Sequence, residues 1–225
     1  MATYIAEATR LALLDDPSWV FERPDGVLLH RQVPTLQKLL QATPIVKAPR
    51  LSERLGEVKT DFPGVRIIFM LRDPVDTFAS IMQKVRRTDN PTRMLDFTRF
   101  GDTDSALEGF ALQYSYYLGQ ARMVLREDPN AIALVSYESL YKEPEVIVEE
   151  VLQILNIDVT TGQFIPTTNQ LGPLRNKPLG RPEVIGPGHA TLEIPEVAER
   201  DLRSRVEAAR DELWNEAEKH KRAVG

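Results

Sequence analysis

The chain of 225 residues contains no cysteine, which removes disulfides, thiolate metal sites and cysteine nucleophiles at once. That absence is compatible with a reducing cytoplasm, the expected compartment. Histidine is scarce: His30, His189 and His220 stand far apart and none belongs to a ligand-spaced pair, so no metal site is expected. Long apolar runs are missing as well. None reaches membrane-spanning length, and Glu7 precedes the first basic residue, Arg10, which is not the pattern of a signal peptide. A soluble protein with no membrane partner is the expectation. The net charge of -5 argues against a nucleic-acid partner while leaving room for one local basic pocket. Glycine is short where phosphates would need it. The first fifty residues hold only Gly26, in the turn-like Arg23-Pro24-Asp25-Gly26. Gly172, Gly180, Gly186 and Gly188 alternate with Pro173, Pro178, Pro182 and Pro187 and follow no buried strand, so they spell an irregular loop.

With 42% hydrophobic and 27% charged residues, the composition is that of one ordinary globular domain spanning 1–225. Its organising stretch is Val65 to Ser80, VRIIFMLRDPVDTFAS. Ile67, Ile68, Phe69, Met70 and Leu71 form an unbroken apolar run of strand length, suited to a parallel sheet covered on both faces. Asp73 then stands where a helix N-cap belongs and Pro74 where a first helical residue belongs. Val75, Phe78, Ala79, Met82 and Val85 continue at helical spacing. This predicts strand, sharp turn, helix. Ligands of open α/β sheets gather at strand carboxyl ends, where helix N-termini offer unpaired N–H groups. Arg72 lies there, and its planar guanidinium suits two parallel hydrogen bonds to a phosphate; Ser80, about two turns into the helix, offers a hydroxyl to the same anion. The competing reading pairs Arg72 with Asp73 or Asp76 and leaves Ser80 as a plain surface serine.

Arg-Asp-Pro after a buried strand, with a serine eight positions past the arginine, resembles the 3′-phosphate-binding segment of the sulfotransferases that use 3′-phosphoadenosine-5′-phosphosulfate (PAPS). Two further stretches agree. Pro44 to Arg50, PIVKAPR, then a helix-like segment and Phe62-Pro63, is similar to the strand and lysine that precede the arginine strand in that family. Ala131 to Leu140, AIALVSYESL, followed by Glu143-Pro144-Glu145 and an apolar helix ending at Leu155, is similar to its tyrosine-acid-x-leucine strand and helix. The resemblance implies an α/β fold with a parallel sheet, helices on both faces and a P-loop NTPase-like core. It implies that Arg72 and Ser80 bind the 3′-phosphate of PAPS or of 3′,5′-adenosine bisphosphate, and that Tyr137 approaches the adenine. Simple packing is the competing role for Tyr137.

The family's Gly/Ser/Thr-rich loop for the 5′-phosphosulfate has no counterpart here, so the chain reads as an N-terminally shortened relative or one that has lost that half of its site. Lys47 ends the strand before Pro49 and is the catalytic candidate by resemblance; a solvated strand-end lysine is the alternative. Members acting on small hydroxyls often carry a histidine where Pro49 stands, and proline cannot be a general base. His30, Glu53 or a carboxylate between 89 and 105 would have to serve.

Other elements follow the periodicity. Met1–Leu14 suits an amphipathic helix, Pro34–Leu40 a second, Leu51–Phe62 a third and Thr103–Glu127 a long fourth. A basic connection, Arg86 to Arg93, follows the central helix. Residues 158–195 form a Pro/Gly-rich loop, and 196–222 a final amphipathic helix with Leu202, Val206, Ala209, Leu213 and Ala217 on one face. Relatives close the nucleotide site with a basic segment from this loop region, which makes Arg175, Lys177 and Arg181 candidates. Trp214 anchors that helix or contributes to a homodimer contact. Two functions remain open: sulfuryl transfer from PAPS to a hydroxyl or amine acceptor, or a non-catalytic nucleotide-binding or protein-interaction module.

Overall fold

A computed structural model describes residues 13–15, 45–47, 49–88, 106–157, 194–220 and 223–224. In chain order these form β1 (Leu13–Asp15), β2 (Ile45–Lys47), a 3-10 segment (Pro49–Arg54), α1 (Leu55–Asp61), β3 (Ile67–Leu71), α2 (Pro74–Thr88) and α3 (Ala106–Glu127). There follow β4 (Ile132–Ser136), α4 (Tyr137–Lys142), α5 (Pro144–Ile154), α6 (Glu196–Lys219) and β5 (Ala223–Val224). Among the described residues every strand pairing is parallel. No described helix is long and apolar enough to cross a membrane.

The apolar runs become strands because helices cover them. β4 is the centre of a three-stranded sheet ordered β3-β4-β5, and Ile132, Ala133, Leu134 and Val135 are all 0% exposed. Residues alternate between two faces along a strand. On one face Ile67, Phe69, Leu71, Ile132 and Leu134 meet Leu118, Ala121, Val124 and Leu125 of α3, and Leu213 and Ala217 of α6. On the other, Ala133 and Val135 meet Leu140 of α4 and Ile147, Val148, Val151 and Leu152 of α5. The expected arrangement of helices on both faces is what the packing shows. β3 is less enclosed than its composition suggested, since Met70 is 37% exposed.

Three elements differ from expectation. Leu13 and Leu14 were the tail of a predicted helix; the structure makes them strand, paired in register with Ile45 and Val46. Two leucines satisfy helix or strand periodicity equally, and the pairing decides. Residues 44–47 were expected in one sheet with β3 and β4, but among the described residues β2 pairs only with β1, in a separate two-stranded sheet. The last helix stops at Lys219, and β5 adds Leu134↔Ala223 and Val135↔Val224 to the far edge of β4. The helix predicted at Pro34–Leu40 and residues 158–193 of the loop predicted at 158–195 lie outside the described residues.

Helix ends are set by local chemistry. Asp73 caps α2, its Oδ1 accepting from the N–H groups of Val75 at 2.8 Å and Asp76 at 3.2 Å. α5 ends in a left-handed residue, Asn156 at φ 53°, with Ile157 N–H on the Leu152 carbonyl and Asn156 N–H on the Gln153 carbonyl, which closes the last carbonyls.

Candidate functional site

The register of β3 on β4 places Leu71 opposite Ser136, so the next residues, Arg72 and Tyr137, leave the sheet side by side. The Arg72 guanidinium carbon lies 4.9 Å from the centroid of the Tyr137 ring. Neither Asp73 nor Asp76 pairs with Arg72; the competing reading of that arginine is not what the structure holds. Its Nε is buried and has no hydrogen-bond partner among the described residues. A buried donor left unmade costs about 1–3 kcal/mol, so this atom marks a place for an acceptor.

The turn formed by Arg72 and Asp73 is gripped by three elements. Tyr114 of α3 donates its hydroxyl to the Arg72 carbonyl at 2.7 Å. Burial pushes that hydroxyl up to about 12, with the nearby Asp73 and Glu138 charges adding to the rise and Arg210 opposing it. At neutral pH it keeps its proton and acts as a donor. The ring stacks at 5.5 Å on Phe110, which in turn sits 5.3 Å from Phe78 of α2. Glu138 of α4 accepts the Asp73 N–H at 2.9 Å through Oε1 and the Ser136 hydroxyl at 3.0 Å through Oε2. Arg203 of α6 donates from Nη1 to Asp73 Oδ2 at 2.9 Å. Burial raises the Asp73 carboxyl, but the Arg203 hydrogen bond and charge, with the Asp76 and Val75 N–H groups, outweigh it and hold the group below its ordinary value.

This changes one expectation. The start of α2 offers no spare N–H to an anion: Asp73 gives its own to Glu138, Val75 and Asp76 give theirs to Asp73, and Thr77 bonds the Asp73 carbonyl at 2.9 Å. Pro74 has none. The backbone of the first turn of α2 therefore acts on an anion only through its field.

The remaining predicted residues are less gathered. Ser80 is exposed on the second turn of α2, and no hydrogen bond joins it to Arg72. Lys47 is the last residue of β2; its side chain, like Arg175, Lys177, Arg181, His30 and the 89–105 segment, lies outside the described residues. Glu53 falls in the 3-10 segment before α1. Among the described residues no group of three or more His, Cys, Asp or Glu is placed to hold a metal ion. Reading the sequence missed Tyr114 as a partner of Arg72 and Arg203 as a partner of Asp73. Tyr114 lies 42 residues from Arg72 and Arg203 lies 130 from Asp73, which leaves no local pattern to find. Glu138 was visible only as the acid of the Tyr137-Glu138-Ser139-Leu140 stretch.

At the carboxyl edge of its parallel sheet the chain carries an arginine whose buried Nε has no hydrogen-bond partner among the described residues. The model of the Sulfotransferase family matches residues 3–161, well over half of the sequence, and the chain belongs to that family. No curated protein and no solved structure matches it. The matched span holds Arg72, Tyr114, Tyr137 and Glu138 but ends before α6, which carries Arg203.

Proposed function

We propose that this protein is a PAPS-dependent sulfotransferase acting on a hydroxyl or amine acceptor, and that Arg72 holds the 3′-phosphate of the nucleotide. The observation that carries this reading is the buried Arg72 Nε, without a hydrogen-bond partner among the described residues, beside Tyr137 at the carboxyl ends of β3 and β4. A phosphate oxygen is the acceptor that a buried guanidinium N–H favours, because charge assistance shortens and strengthens the bond. The residues present therefore fit the phosphate half of the nucleotide. PAPS, when bound, supplies the sulfuryl group that is transferred.

The chain's own residues bind and orient. The Tyr137 ring packs against the guanidinium, Tyr114 and Glu138 fix the backbone that carries it, and Ser80 is proposed as a second phosphate contact by resemblance to the family. Lys47 at the end of β2 remains the candidate for the sulfuryl end, with Arg175 and Lys177 as candidates for closing the site. Among the described residues there is no glycine-rich cradle for the 5′-phosphosulfate, so the sulfuryl oxygens must find their donors elsewhere.

Calorimetric titration of 3′,5′-adenosine bisphosphate into the purified protein, beside Arg72→Ala and Arg72→Lys, tests the reading. Loss of a hydrogen-bonded charge should weaken binding about tenfold to a hundredfold in Arg72→Ala. Lysine keeps the charge but not the planar fork, so Arg72→Lys should recover only part of it. A folded wild-type protein that does not bind the nucleotide would overturn the assignment and leave the non-catalytic module as the function.

A further inference from the structure

We propose that Arg203, on a helix beyond the family-matched span, is the positioning residue that sets Arg72 for its anion. The proposal rests on the reading of Arg72 as the phosphate-binding arginine. Asp73 divides its carboxylate between two tasks: Oδ1 closes the first turn of α2, and Oδ2 takes the Arg203 guanidinium at 2.9 Å. The residue that follows Arg72 is therefore tied to α6 by a charged bond, and the orientation of Arg72 is tied with it.

Arg203 is itself held. Its Nε bonds Glu199 Oε1 at 3.0 Å and Nη1 lies 3.6 Å from Glu207, one helical turn on either side. Leu202 and Val206, flanking it on α6, are 0% exposed and pack with Phe78 of α2 and with Phe110 and Ala111 of α3. α6 thus cannot shift along α2 without breaking that cluster. The Arg203 and Asp73 side chains are 32% and 24% exposed, enough burial to keep the pair from being a fully solvated one. With Tyr114 on the Arg72 carbonyl and Glu138 on the Asp73 N–H, the Arg203 bond is the third fixed point of a short turn, and the one of the three that comes from beyond the family-matched span.

The test compares wild type with Arg203→Met, Arg203→Lys and Arg205→Met by two readouts. Arg205 sits on the same helix and pairs with Asp201 and Glu108, so it controls for general loss of an α6 ion pair. The first readout, without nucleotide, is amide hydrogen exchange at Val75 and Asp76 together with the NMR signal of the Arg72 Nε–H. The second is the dissociation constant for 3′,5′-adenosine bisphosphate. Arg203→Met should speed exchange at both amides, shift the Arg72 signal and weaken binding about threefold to tenfold. Arg203→Lys should restore part of each, and Arg205→Met should change none. Unaltered exchange and signal in Arg203→Met, or equal changes in Arg205→Met, would overturn the positioning role. If wild type binds no nucleotide, the proposed function fails by itself, while exchange and the Arg72 signal still decide what Arg203 does.

Discussion

Asp73 is the residue on which the site turns, and its charge makes a pH-dependent contribution of known sign. Its folded carboxyl lies below the ordinary value because Arg203 and two N–H groups together exceed the cost of burial. An unfolded chain therefore binds this proton more readily than the folded one. The contribution to stability is complete above the unfolded value and disappears as pH falls through the folded one. Asparagine keeps the N-cap function, so Asp73→Asn removes the charge while sparing the cap. Thermal unfolding of both proteins should show Asp73→Asn less stable at neutral pH, with the gap closing below about pH 4. Asp128 and Glu216, also lowered by basic partners, lose stabilisation in the same acid window in both proteins and cancel in the difference. A gap that stays constant from pH 7 to the acid limit would mean the ion pair contributes nothing.

Elements show which parts of the fold were legible and which were not. The turn after β3 could be read from Asp73 and Pro74, because capping is a matter of three or four neighbouring residues. α6 could be read from its spacing, and Leu202, Val206, Leu213 and Ala217 are all 0% exposed, as the apolar stripe required. What α6 packs against could not be read. Its partner helix α3 lies some ninety residues earlier, and the ion pairs that join them, Arg122 and Arg126 with Glu212 and Glu216, are ordinary surface charges in the sequence. β5 was missed because two residues show no period, and β1 because pairing with β2 outweighed a helical pattern. The site was legible to the same depth: Arg72 and Tyr137 end consecutive strands, whereas the residues that orient them come from distant helices. The stripe and the charges also predict different energies. Leu213→Ala should lose about 2–5 kcal/mol in chemical denaturation, since it empties a buried position. Glu212→Gln, exposed on the same helix, should be indistinguishable from wild type. Equal losses would show that α6 is held by its ion pairs rather than by its apolar face.

At the scale of the molecule, the core does not end where the family match ends. The face of the sheet built from Ile67, Phe69, Leu71, Ile132 and Leu134 is closed by Leu213 and Ala217, and the cluster under Phe78 and Phe110 by Leu202 and Val206. On the far side of β4, β5 adds a third strand to the sheet, and its Val224, only 3% exposed, adds buried apolar surface to the second face. Removing everything after residue 161 would delete Leu202, Val206, Leu213 and Val224 and, with them, the burial these side chains contribute to the core. At roughly 1.5–3 kcal/mol for each large buried side chain, those four positions together amount to about 6–12 kcal/mol. The whole stability of a domain is about 5–15 kcal/mol, so the shortened chain should have little or none left. It should also leave the apolar faces of α3 and β4 open to water, a surface that favours association. The chain 1–161 should therefore lack the near-ultraviolet circular dichroism and the cooperative thermal transition of the full protein, and should bind a hydrophobic dye. A cooperative transition in 1–161 would mean that the segment after residue 161 is an accessory to a core already complete without it, and that Arg203 reaches Asp73 from outside the folding unit.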